Sequence, residues 1–113
     1  MVDSILDNVS KRSQIRGEIN LNIHLRTETA KIQELITDVK QFITAIPEVQ
    51  SHNVLFNDIK LQSYIIFIEF FTPPIEWNLF TEIKQRINFH ILQTMDKLEI
   101  KIAAEGKDVA IVP

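Results

Sequence analysis

Hydrophobic and polar positions alternate without a break over residues 14–26. Ile15, Gly17, Ile19, Leu21, Ile23 and Leu25 share one face, and Arg16, Glu18, Asn20, Asn22, His24 and Arg26 share the other. Successive strand side chains point to opposite sides, so this pattern predicts a long strand with one buried face. Gly17 within that face marks a bulge or a close approach by another backbone. The period then changes. Ile32, Leu35, Ile36, Val39, Phe42, Ile43 and Ile46 follow the spacing of an amphipathic helix. Thr27 or Thr29 supplies an N-cap hydroxyl, Glu28 sits at the positive end of the dipole, and Pro47 stops the helix near Ile46.

Two β-rich stretches follow, residues 53–59 and 63–72, joined through Lys60, Leu61 and Gln62. So short a gap predicts an antiparallel hairpin. Residues 64–71 are apolar on both faces, as in a central strand, and Pro73-Pro74 ends them. Phe80, Ile83, Ile87, Ile91, Met95 and Leu98 then form a helical stripe with Trp77 and Leu92 close beside it. Ile100, Ile102 and Ala104 alternate again as a last strand, and Gly106 breaks it. The order strand, helix, strand, strand, helix, strand predicts an α+β, ferredoxin-like βαββαβ sandwich. Its sheet has four antiparallel strands with two helices on one face. Residues 14–104 make that domain, residues 1–13 connect it to an upstream domain, and residues 105–113 form a β-prone tail.

Composition narrows the function. The 113 residues suffice for one domain, and 45% apolar with 24% charged residues suit a soluble globular core. A net charge of -3 argues against nucleic acid as a partner, because phosphate contacts call for a basic excess. No cysteine is present, which excludes disulfides and thiolate chemistry, and two glycines cannot build a phosphate-cradling loop. The longest apolar run, residues 64–68, is far short of the roughly 20 residues that span a bilayer. Residues 1–4 lack the basic start of a signal peptide, so a soluble, cytosolic-type domain is expected.

Candidate chemistry is sparse. His24, His52 and His90 have no metal-ligand spacing, so no metal is expected; His24 falls on the polar face of the first strand and His90 on the exposed side of the second helix. Asp58 and Glu69 could face each other across the hairpin as paired carboxylates, but nothing identifiable would split their pKa values. Ser51 and Ser63 lie in no nucleophile-elbow context. Lys11, Arg12 and Arg16 could touch lipid headgroups or an acidic partner, and equally serve as solvated charge. No catalytic residue and no cofactor are expected. If Tyr64, Ile66, Ile68 and Phe70 face the helices, Ile65, Phe67 and Phe71 face outward. An RNA-binding sheet of this fold also puts aromatics there, but Asn20 and Asn22 occupy the matching places on the first strand. An Ile and Phe patch without positive charge predicts a protein–protein surface, with coverage by the chain's own termini and a ligand or nucleic acid as the alternatives.

Several stretches resemble one family. Residues 10–19, Ala30-Lys31-Ile32 opening a helix that ends in Ile46-Pro47-Glu48-Val49, and the strand pair within residues 56–71 are similar to the C-terminal domain of small-conductance mechanosensitive (MscS-type) channels. Trp77, Arg86-Ile87-Asn88, Ile100-Lys101-Ile102 and the tail Lys107-Asp108-Val109-Ala110-Ile111 continue the likeness. Two features depart from it: Glu99 stands where the family usually has Gly, and Ala103-Ala104-Glu105 replaces a Pro-aromatic-Pro stretch. The resemblance implies a non-catalytic domain on the cytoplasmic side of the membrane, in a heptamer that walls a vestibule and relieves osmotic pressure. It implies membrane contact only through segments outside this chain, and a tail that enters a β-barrel shared between subunits. Ile65, Phe67, Phe71, Val109 and Ile111 are the expected subunit contacts. Two other classes compete. A regulatory small-ligand-binding domain of the same fold would need a polar pocket at a subunit seam and a Gly-rich turn. An acylphosphatase-like enzyme would use Arg26 on phosphate, but Thr27-Glu28-Thr29 lacks the glycines and adds an anion.

Overall fold

The computed structural model describes residues 14–103. Its elements in chain order are strand β1 (Ile15–Ile23), helix α1 (Thr29–Thr44), strands β2 (Ser51–Ile59) and β3 (Tyr64–Thr72), and helix α2 (Trp77–Leu98). The sheet is antiparallel with the order β1-β3-β2, so the most apolar strand lies in the middle, paired on both sides. A three-stranded antiparallel sheet and two helices make an α+β fold.

Every second side chain of β3 is buried: Ile66, Ile68, Phe70 and Thr72. They pack with Ile32, Leu35, Val39 and Ile43 of α1 and with Phe80, Ile83, Ile87, Ile91 and Met95 of α2, in one continuous core. Both predicted helical stripes are thus core, and at roughly 25 cal/mol per Å² of apolar surface their burial is the main stabilising contribution. Trp77 and Leu92, expected beside the second stripe, are 75% and 51% exposed instead. Trp77 opens α2 with its ring centroid 6.4 Å from that of Phe80, and Leu92 lies one position past Ile91 and so faces away from the sheet.

Gly17 answers to space rather than to backbone conformation. Gly17 has no positive φ, and β1 pairs with β3 in unbroken register, so there is no bulge here. Gly17 stands opposite Phe70, and a β-carbon at Gly17 would overlap the Phe70 ring. The close approach is by a side chain rather than a backbone. The ring cannot swing aside, since Phe70 is fully buried with its centroid 5.4 Å from that of Phe80.

Other boundaries also differ. β1 stops at Ile23, and His24 through Thr27 form a turn held by the Thr27 amide and hydroxyl, both donating to the His24 carbonyl. The N-cap of α1 is therefore Glu28, which makes no side-chain cap, because the Thr27 hydroxyl is engaged elsewhere and Thr29 is already helical. β2 carries a bulge at Asn57, between the pairs Phe56–Ile66 and Asp58–Ile65. The hairpin closes through residues 60–63, with the Lys60 amide donating to the Ser63 carbonyl at 2.8 Å.

Among the described residues, the predicted fourth strand is represented by a single antiparallel bridge between Ile23 and Ile102. Two flanking hydrogen bonds support it, His24 amide to Lys101 carbonyl and Ala103 amide to Asn22 carbonyl. A longer ladder is blocked on one side, since Ile100 gives its amide to Met95 at the end of α2 and β1 has already turned away after Ile23. Ala104 lies outside the described residues. Glu99 caps α2 in the left-handed conformation (φ 60°, ψ 39°), the place where glycine is favoured.

Gly17→Ala should lower stability by about 1–3 kcal/mol through overpacking, and a Phe70→Leu partner should recover part of that loss. Urea unfolding of the two single variants and the pair checks this; additive losses would refute the contact. Glu99→Gly should raise stability by about 1 kcal/mol by removing left-handed strain, read as a higher melting temperature.

Candidate functional site

Strand periodicity fixes what the sheet presents on the side that no described helix covers. With Ile66, Ile68 and Phe70 under the helices, Ile65, Phe67, Glu69 and Phe71 of β3 stand on the opposite side, all partly buried by their neighbours. Cross-strand register arranges this face in rows. Phe71 lies between Arg16 and Ser51, Glu69 between Glu18 and Asn53, Phe67 between Asn20 and Leu55, and Ile65 between Asn22 and Asp58. Apolar β3 side chains are thus flanked by polar ones from the outer strands, except at Leu55, which is 51% exposed beside Phe67.

The face is not free of positive charge. Arg16 Nε donates to Glu69 Oε1 at 2.9 Å and Arg16 Nη1 to Glu18 Oε1 at 2.8 Å, so one guanidinium ties together two carboxylates that oppose each other in register. Asn53 donates to the other Glu69 oxygen at 2.7 Å, and Asn20 to the other Glu18 oxygen at 2.9 Å. The guanidinium carbon also lies 5.8 Å from the Phe67 ring centroid, within cation–π range. Hydrogen bonds from Asn53 and then Arg16 hold the Glu69 carboxyl below its usual range, with the nearby Glu18 charge opposing. For Glu18 the Asn20 amide contributes most, ahead of Arg16. Arg16 is raised, chiefly by Glu69.

Asp58 and Glu69 are not brought together. Asp58 pairs with Ile65 past the bulge and accepts from the Ile59 amide, while Glu69 sits in the Arg16 network. His24 lies in the turn after β1 rather than on its polar face. His90 is not on an exposed side. Its ring stacks on Phe42 with centroids 4.0 Å apart, and its Nε2 donates to Asp38 Oδ2 at 2.9 Å, while Thr94 Oγ1 donates to the same oxygen at 2.6 Å. This clasp joins α1 to α2. Its signal in the sequence is faint: His90 and Thr94 are a polar i, i+4 pair bordering the α2 stripe, and Asp38 sits beside Val39. Among the described residues no group of three or more metal-ligating side chains converges, and no helix is long and apolar enough to cross a membrane. Val109 and Ile111, the other expected contacts, lie outside the described residues.

The Thr94 hydroxyl, and after it His90, lower the Asp38 carboxyl against the opposing effect of burial. A carboxyl lowered by folding contributes stability above its unfolded value and loses it as pH falls through the lower native one. Asp38 therefore supports the helix pair above about pH 4 and stops doing so in stronger acid. Asp38→Asn should flatten part of the acid limb of urea-unfolding stability. An acid limb as steep as that of the parent chain would sink the assignment.

The family model described as mechanosensitive ion channel MscS, C-terminal, matches residues 18–102, which includes α1, β2, β3, α2 and most of β1. No curated protein matches the chain. Since the match spans most of the sequence, the chain belongs to the MscS C-terminal domain family of mechanosensitive ion channels.

Proposed function

We propose that this chain is a non-catalytic assembly domain that an MscS-type channel holds on the cytoplasmic side of the cell membrane, in a parent protein that relieves osmotic pressure. Copies join as a ring, a heptamer by the family's pattern, and wall a vestibule through which solutes pass. The chief support is the family match over residues 18–102. Residues 14–104 form the domain, residues 1–13 link it to a preceding one, and residues 105–113 lead toward a barrel shared between subunits. In the assembled protein the bridge at Ile23 and Ile102 extends into a fourth strand and completes the ferredoxin-like sheet.

The uncovered sheet face supplies a physical reason for assembly. Helices shield one side of β3, while Ile65, Phe67 and Phe71 keep part of their surface in water on the other. A cyclic ring needs two different patches per subunit, one meeting the other on the next copy. Ile65, Phe67 and Phe71 make one such patch, and Val109 and Ile111 contribute to the contacts from the tail. Arg16, Glu18 and Glu69 set its orientation by fixing charges at defined places that a neighbouring copy must complement.

Phe67→Asp and Ile65→Asp in the full-length parent should block ring assembly, read by native electrophoresis or cross-linking, and should remove survival of osmotic downshock. The same changes in the 113-residue chain should leave its circular dichroism unaltered. Normal assembly of both variants would overturn the contact assignment, and unfolding of the isolated chain would place these residues in the core. Detection of the parent only as a soluble 13.1 kDa species would overturn the channel reading itself.

A further inference from the structure

Beside the turn that follows β1 lies an open cleft of about 430 Å³, lined by His24, Arg26, Thr27, Glu99 and Lys101. Two permanent cations line it against one carboxylate, and that carboxylate is paired with Lys31 at 3.9 Å. Among the described residues neither Arg26 nor Lys101 has a carboxylate within ion-pair distance. On a chain of net charge -3, this is a local concentration of the opposite sign.

The surrounding backbone is held in place by hydrogen bonds within the turn and to the segment after α2. The Arg26 amide donates to His24 Nδ1 at 3.1 Å, and the Thr27 amide and hydroxyl both donate to the His24 carbonyl, at 3.1 and 2.7 Å. The His24 amide in turn donates to the Lys101 carbonyl at 2.9 Å, which fixes the segment after α2 against the turn. With Nδ1 as an acceptor, the proton of the neutral His24 ring is on Nε2. The cleft thus offers a planar guanidinium, an ammonium and an imidazole N–H, all donors. Glu28, next in the chain, caps α1 with no side-chain hydrogen bond, and its charge is the other anion near this turn.

We infer that this cleft is a binding site for a phosphate-bearing small molecule, anchored by Arg26, Lys101 and His24. A dianion satisfies two cations together, and the Arg fork matches a pair of phosphate oxygens while Lys acts as a point charge. The volume falls in the range of small-molecule sites, about 300–1,000 Å³, so the phosphate carries an organic group. The Thr27 hydroxyl is already engaged, since it donates to the His24 carbonyl, so the cations and His24 rather than Thr27 make the anchor. Such a site goes beyond the channel reading and stands whether or not that reading holds.

Titration of the ¹⁵N-labelled 113-residue chain with inorganic phosphate at constant ionic strength, with chloride as control, tests the inference. Saturable amide shifts are expected at residues 24–27 and 99–101. Arg26→Gln and Lys101→Gln should each weaken binding about tenfold or more, and Lys40→Gln on α1 should not. Glycerol 3-phosphate and phosphatidylcholine vesicles containing phosphatidic acid separate the sources. Arg26-dependent sedimentation with vesicles assigns a lipid headgroup, and binding of the soluble ester alone assigns a free metabolite. Shifts that fail to saturate, equal shifts with chloride, or shifts unchanged in both cleft variants would overturn the site.

Discussion

The constraint on which the other features depend is the burial of one side of β3 under two helices. Ile66, Ile68 and Phe70 must lie beneath α1 and α2, and a two-residue period then leaves Ile65, Phe67, Glu69 and Phe71 no choice but the other side. Gly17 belongs to the same constraint, since the buried Phe70 ring occupies the volume its side chain would fill. A one-residue slip of β3 would move Phe70 off Gly17 and put Glu69 in the core. Register, core and uncovered face are therefore a single solution, and a partner meets a surface whose pattern the interior dictates.

Much of this was legible in the amino-acid order. The helical stripes, the hairpin and the assignment of β3 side chains to two faces all follow from periodicity, which reports burial directly. What periodicity does not report is where hydrogen bonds go. The alternation at Leu25 and Arg26 looks like strand, yet the Thr27 hydroxyl and amide close a turn on His24. The last strand is cut to a bridge because the Ile100 amide belongs to the end of α2. The polar groups on the uncovered face were visible only as separate letters. That Arg16 binds both Glu18 and Glu69 depends on pairing between strands about fifty residues apart in sequence. For the same reason the Asp38, His90 and Thr94 clasp was missed, since its members sit on two helices whose relative rotation the core sets.

The polar network changes what kind of surface the face is. Interfaces of apolar residues alone bind whatever covers them, whereas fixed donors and acceptors between aromatic rows penalise a partner that leaves them unpaired. Every side-chain oxygen of Glu18 and Glu69 already has a protein donor. Covering this face accordingly need not leave those carboxylates without partners, and the desolvation penalty on docking is reduced in advance.

The bulge at Asn57 has a bearing on how copies avoid one another. Among the described residues β2 is an edge strand whose outer hydrogen-bonding groups could template a second chain, and Leu55 and Ile59 along it, with Leu61 just past its end, are well exposed. An uninterrupted edge of that kind invites amyloid-like growth, above all where many copies are synthesised close together. The extra residue breaks the edge into two short runs of mismatched pitch, and Asp58 and Lys60 put charge beside the second. Continuous edge-to-edge pairing along β2 is thereby disfavoured.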